Sequence, residues 1–138
     1  MKVFVKYLIG VLLCVPFSLK AQDVKFDITL KGNTLNYTVV NDTPKSVFLV
    51  RYNKFNEEST SHCVLYYKDK DGYVDEVSFA LTDRIFFLIK PGARFSCDFD
   101  ISEIDRQKLV EISGRATIVA EDEQGKSGIR NLDKSITF

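Results

Sequence analysis

The sequence predicts an all-β domain, an antiparallel β-sandwich of about eight or nine strands with one short helix. Three observations predict it. Apolar and polar residues alternate over most of the chain beyond residue 22, the period-2 pattern of strands with one buried and one wet face. Turn signals built from Gly, Pro, Asn and Asp recur at intervals of roughly 8 to 12 residues, the spacing of a sandwich or barrel. The chain is also rich in strand-favouring aromatics, with 11 Phe and 6 Tyr, and shows no longer repeat. The turns resemble hairpins and crossovers rather than a regular meander, which favours the sandwich.

Residues 1–21 read as an export signal. Lys2 and Lys6 supply a positive start, and Tyr7 to Leu19 form an apolar stretch broken only by Gly10, Pro16 and Ser18. Such a stretch is too short for a permanent span, which needs about 20 apolar residues, but it suits a cleaved leader. The cut is expected after Ala21, leaving residues 22–138 as one domain of 117 residues. Losing Lys2, Lys6 and Lys20 turns a balance of 19 basic and 19 acidic residues into 16 and 19, a net charge of −3. That charge offers no basis for binding nucleic acid, and no polybasic run favours an anionic membrane surface. Cys14 lies inside the leader; Leu13 before it is not the small residue a lipoprotein site requires, so lipidation is disfavoured.

The elements follow in order. Val24, Phe26, Ile28 and Leu30 alternate with polar residues, Gly32 and Asn33 make a two-residue turn, and Leu35, Tyr37 and Val39 resume the alternation as a hairpin. Asn41, Asp42, Thr43 and Pro44 break it, and a third strand follows at 46–52. Residues 53–61 are polar and aperiodic, the longest expected loop. Cys63 to Tyr67 is a strand, 69–72 a tight turn, and Tyr73 to Ala80 a strand. Arg84 to Lys90 contains five consecutive apolar residues, so burial on both faces is expected. Pro91 and Gly92 are the favoured centre of a type II turn, and Phe95, Cys97, Phe99 and Ile101 then form an apolar face. Ser102 is expected to cap a short helix reaching about Val110, with Asp105 completing a loose capping box. A strand over 115–120, a polar turn at 122–126 and one or two closing strands over 127–138 end the chain.

No residue pattern points to catalysis, a cofactor or a metal. Asp69, Asp71 and Gly72 suggest a calcium loop, but the frame puts Tyr67 and Ser78 where carboxylates are required, so a β-turn explains them better. His62 and Cys63 point to opposite faces of a strand and cannot easily cooperate. Asp98 and Asp100 share a strand face about 7 Å apart, where solvated Asp is ordinary. Tyr52, Phe55, Tyr66, Tyr67 and Tyr73 are read as strand packing before an aromatic platform. Cys63 and Cys97 survive leader removal and are candidates for a disulfide, which would close a loop of about 35 residues and stabilise by about 3 to 4 kcal/mol; the alternative is two buried free thiols. The candidate contact loop contains Asn53, Phe55, Glu57 and Glu58, since loops carry function disproportionately.

The segments LNYTVVNDTPKSVFL, YYKDKDGYV and IKPGARFSCDFDI, in this order, resemble immunoglobulin-like sandwich domains of bacterial envelope proteins. The same order is similar to proteinase-inhibitor sandwiches of the BsuPI type. The resemblance covers most of residues 24–120. It implies an exported, non-enzymatic binding or interaction module, periplasmic or secreted, whose partner is a protein or a glycan. The alternative is an inhibitor or immunity protein that blocks a hydrolase or protease through the 53–61 loop.

Overall fold

The computed structural model describes residues 23–51, 60–79, 81, 86–122 and 124–138. The expected leader and contact residues Asn53, Phe55, Glu57 and Glu58 lie outside the described residues. Among the described residues nine strands run in chain order: β1 Val24–Lys31, β2 Thr34–Asn41, β3 Val47–Val50, β4 His62–Lys68, β5 Val74–Phe79, β6 Phe86–Ile89, β7 Arg94–Asp100, β8 Leu109–Glu121 and β9 Ser127–Thr137. All the pairings are antiparallel. Among the described residues no helix is long and apolar enough to cross a membrane.

The strands form two sheets. One has the order β1-β2-β7; the other follows β5-β4-β8-β3-β6, with β9 pairing β8. The β1–β2 hairpin is set locally, because Gly32 takes φ 58° in a turn that closes the Lys31–Thr34 pair. Gly92 at φ 76° completes the Pro91-Gly92 turn, closed by Ala93 N–H donating to Lys90 O at 3.0 Å.

β8 organises the larger sheet. One of its edges pairs β9 along Glu111–Glu121. The other serves two strands in succession, β4 along Leu109–Arg115 and β3 at Ile118 and Val119. Ser61 fills the junction: its N–H donates to Val50 O at 3.0 Å, and its hydroxyl accepts from Thr117 N–H at 2.8 Å. A shift of register between Tyr66 and Tyr67 bends β4 here, as a bulge does, and the sheet curls.

Both sheets contribute to one core of buried apolar side chains, including Ile28, Leu35, Tyr37 and Val39 from one and Leu49, Cys63, Leu65, Ile112, Ala116 and Ile118 from the other. Tyr37 crosses between them, its hydroxyl donating to Arg115 O at 2.6 Å, which satisfies the polar end of a buried ring. On one flank β1 meets β9 through ion pairs Arg130–Asp23 at 3.2 Å and Lys134–Asp27 at 3.8 Å. On the other, aromatic rings bridge the gap: Phe87 on Phe95 with centroids 4.7 Å apart, and Phe79 on Phe99 at 5.1 Å.

Three expectations need correction. The helix from Ser102 is only a 3-10 turn, Arg106–Lys108, capped by Asp105 rather than Ser102. It stays short because Leu109 and Val110 already belong to β8. β8 itself begins at Leu109, well before the expected 115, since its inward positions include Gly114 and Ala116 and the small side chains hide the alternation. A single strand closes the chain, within the expected one or two. Finally, β6 is not buried on both faces: Phe86 and Leu88 are 57% and 52% exposed. Its outer face, shared with the exposed Phe48 of the neighbouring β3, is open to solvent, so only the inward side chains are covered.

Candidate functional site

β3, β6, β8 and β9 place an apolar row on the outer face of the larger sheet. Strand register aligns Ile129 with Val119, Val119 with Phe48, and Phe48 with Leu88. Because side chains alternate across a strand, all four stand opposite the inward Val47, Leu49, Ile89 and Ile118. Phe86, two residues from Leu88, widens the row and meets the Phe48 ring edge-on at 5.6 Å. Phe48 and Ile129 are 40% and 55% exposed. Scattered exposed apolar residues need no explanation, but a contiguous set of this kind marks contact surfaces.

Charged groups of both signs rim the row. On one side of the row, past Val119 on β8, Lys45 reaches Glu121 at 2.8 Å. On the other side, Arg115 lies between its cross-strand partners His62 and Asp133 and bonds the Asp133 carboxylate at 2.6 Å. Such exposed pairs contribute little stability; here they set a border of mixed charge around an apolar centre, the usual anatomy of a protein contact. Alternation could have assigned Phe48 to the outer face, yet the row exists only through register across four strands, which no single segment displays.

The cysteines occupy neighbouring positions across the gap between the sheets. Cys63 on β4 is the register partner of Phe79, Phe79 stacks on Phe99, and Cys97 is two residues from Phe99 on the same face of β7. Both are free thiols in this structure. Burial pushes the Cys63 thiol up to about 12, with the adjacent Cys97 adding to it. Burial, and then Asp98, pushes Cys97 up to about 11. Thiols held in this way stay protonated at neutral pH, which slows any reaction that needs the thiolate. Cys63 is buried while His62 pairs Arg115 on the outer side, so the two do not form a dyad.

The remaining candidate groups have structural partners. Asp69 Oδ1 accepts from the N–H groups of Asp71 and Tyr73 at 2.8 and 3.0 Å, the turn anticipated in place of a calcium loop. Asp98 accepts from Asn36 Nδ2 at 2.8 Å. Asp100 accepts from Ser102 N–H at 2.9 Å, and that backbone bond lowers its pKa. Among the described residues no group of three His, Cys, Asp or Glu could hold a metal ion. A cleft of about 630 Å³ opens beside β5 and β7, with Tyr67, Val77, Phe79 and Ile104 on its walls. Its Asp69, Asp100 and Asp105 each accept from a backbone N–H of their own turn, and Glu103 also lines it.

No family model matches the chain, and no curated protein matches it. Two solved structures are similar in part. A structural-genomics target designated SoR45 is 11% identical, with 84% of each chain covered and a TM-score of 0.39. A putative ApaA protein from Bordetella pertussis is 13% identical, covering 83% of this chain and 89% of that one, with a TM-score of 0.36. Neither likeness is close enough to assign a family or a function.

Proposed function

We propose that this chain is an exported, non-enzymatic interaction module of the bacterial cell envelope, built as an immunoglobulin-like sandwich, and that it binds protein through the outer face of its larger sheet. The observation that carries the reading is the apolar row Ile129–Val119–Phe48–Leu88 with its rim of paired charges. A glycan would call for convergent hydrogen-bonding groups, whereas this face offers hydrocarbon, which suits a protein surface. Support for the sandwich type comes from the order β1-β2-β7 in one sheet and, within the six-stranded sheet, the run β9-β8-β3-β6, with the β4–β5 pair beside it on β8.

Export and the disulfide belong to the same proposal. In an oxidising compartment Cys63 and Cys97 give up two protons and two electrons to a disulfide oxidant, which leaves as its dithiol, and one inter-sheet S–S bond forms. Intact mass of the protein recovered from its native host tests both, expecting loss of residues 1–21 and of two further hydrogen masses.

Affinity capture from envelope extract tests the contact face. The wild-type protein should retain a specific protein partner, and Phe48→Lys and Ile129→Lys should each lose it while keeping the same thermal transition by circular dichroism. Capture unaffected by both substitutions but lost on scrambling residues 53–61 would overturn the face as the contact and favour the inhibitor reading.

A further inference from the structure

We propose that the partner on this face is a second copy of the chain, giving a two-fold dimer in which the two outer sheet faces pack on each other. The inference rests on the reading of that face as the contact surface and goes on to name its occupant.

Area is the first argument. Phe48, Phe86, Leu88 and Ile129 are 40, 57, 52 and 55% exposed. With about 200 Å² for each such side chain when free, they leave about 400 Å² of apolar surface open to water. Two copies packed face to face would cover about twice that and some of the polar rim, near the lower bound of about 1,200 Å² for specific interfaces. The expected dimer is therefore weak and concentration-dependent rather than obligate.

Charge and shape are the second. Both long sides of the row carry both signs, Lys45 with Glu121 along one and Arg115 with Asp133 along the other. In a two-fold arrangement whose axis runs along the row, each side lies over the opposite one, where both signs are available for pairing. A strongly charged partner finds no dominant sign to complement. The surface is also a sheet face, and a second sheet packs on such a face at about 10 Å with side chains interdigitated. A copy of this row supplies a face of matching width.

Sedimentation equilibrium on the protein purified from its native host, from about 5 to 500 µM to span a weak interface, is the test. The expected result is a monomer at the dilute end and a dimer at the concentrated end. Phe48→Lys and Ile129→Lys should each shift the midpoint at least about tenfold, since each puts two charges into the two-fold contact. Lys70→Glu, on the wall of the distant cleft, should leave it unchanged. The lysine variants must retain the wild-type thermal transition. A monomer throughout the range, or a dimer indifferent to both substitutions, overturns the inference. If the monomeric wild type still captures a partner that the lysine variants lose, the contact-face reading stands and only the second copy is excluded.

Discussion

Gly114 offers the sharpest test of the packing, because the residue that fits there is decided by a few tenths of an ångström. It lies inward on β8, paired with Cys63. A Cβ at this position would stand 2.9 Å from Phe26 Cζ and 3.0 Å from Ile28 Cγ2. The first is shorter than a Cβ contact tolerates and the second is tight, so the Phe26 ring must move and Ile28 must give by a few tenths of an ångström. Ile28 is a buried, β-branched side chain with one rotamer to spare at most. Phe26 is held against Tyr37 with ring centroids 4.7 Å apart, and Tyr37 is fixed by its bond to Arg115 O, one residue from Gly114. Relief therefore requires the rings or the two sheets to shift together. Overpacking of this kind costs about 1 to 3 kcal/mol, partly offset by the lower chain entropy of Ala in the unfolded state, worth about 0.4 to 1 kcal/mol. The net expectation for Gly114→Ala is a loss of about 1 to 2 kcal/mol, or roughly 4 to 8 °C in Tm for a domain of this size. Urea denaturation with matched slopes measures it. Gly128→Ala is the control, since a Cβ there meets nothing within 4 Å, and it should be neutral or slightly stabilising. Phe26→Leu combined with Gly114→Ala should recover part of the loss, giving a positive coupling in a double-mutant cycle. A Gly114→Ala protein as stable as Gly128→Ala would refute this account of how the sheets meet.

Other expectations follow from buried polar and titratable groups. Asn41 makes six hydrogen bonds, two through its backbone, two from Nδ2 to Lys45 O and Ile89 O at 2.8 and 2.9 Å, and two to Oδ1 from Thr43; Asn41→Ala should cost about 2 to 3 kcal/mol by urea denaturation, because two carbonyls lose a donor inside the protein. Cys63 and Cys97 have folded pKa values of about 12 and 11, above the ordinary 9.0. Raised values mean the thiol protons favour the folded state, so in the reduced protein stability is complete below about pH 9 and falls as pH rises toward 11 and 12. Urea midpoints across that range should fall, and Cys63→Ala with Cys97→Ala should flatten the fall; Tyr37, also raised by burial, leaves a residual slope of the same sign.

What the sequence disclosed depended on how locally each element is determined. The first hairpin was legible because both its alternation and its Gly32-Asn33 turn lie within eighteen residues. The Pro91-Gly92 turn and the inward placement of Cys97, Ala116 and Ile118 were legible for the same reason. Misreadings arose where a distant strand decides. The apolar run at 86–89 belongs to a strand whose outer face is open to solvent, so half of it faces water, and composition alone cannot distinguish that from burial on both sides. The segment 102–110 carries helix-capping residues, yet pairing of Leu109 with Tyr67 draws its end into β8 and leaves one 3-10 turn. The apolar row was invisible as a unit, because Phe48, Leu88, Val119 and Ile129 are spread over more than eighty residues and meet only through register.

The strand arrangement also determines when this chain can fold. β3 with β6, and β4 with β5, form separate ladders that have no common partner except β8, whose first residue is Leu109. Seven strands are thus synthesised before the one that joins them. A growing chain cannot close its core until its last quarter has emerged, and contacts of such long sequence separation form slowly, on the scale of milliseconds to seconds. A copy broken off before residue 109 lacks the strand that joins the two ladders, and limited proteolysis should digest it completely.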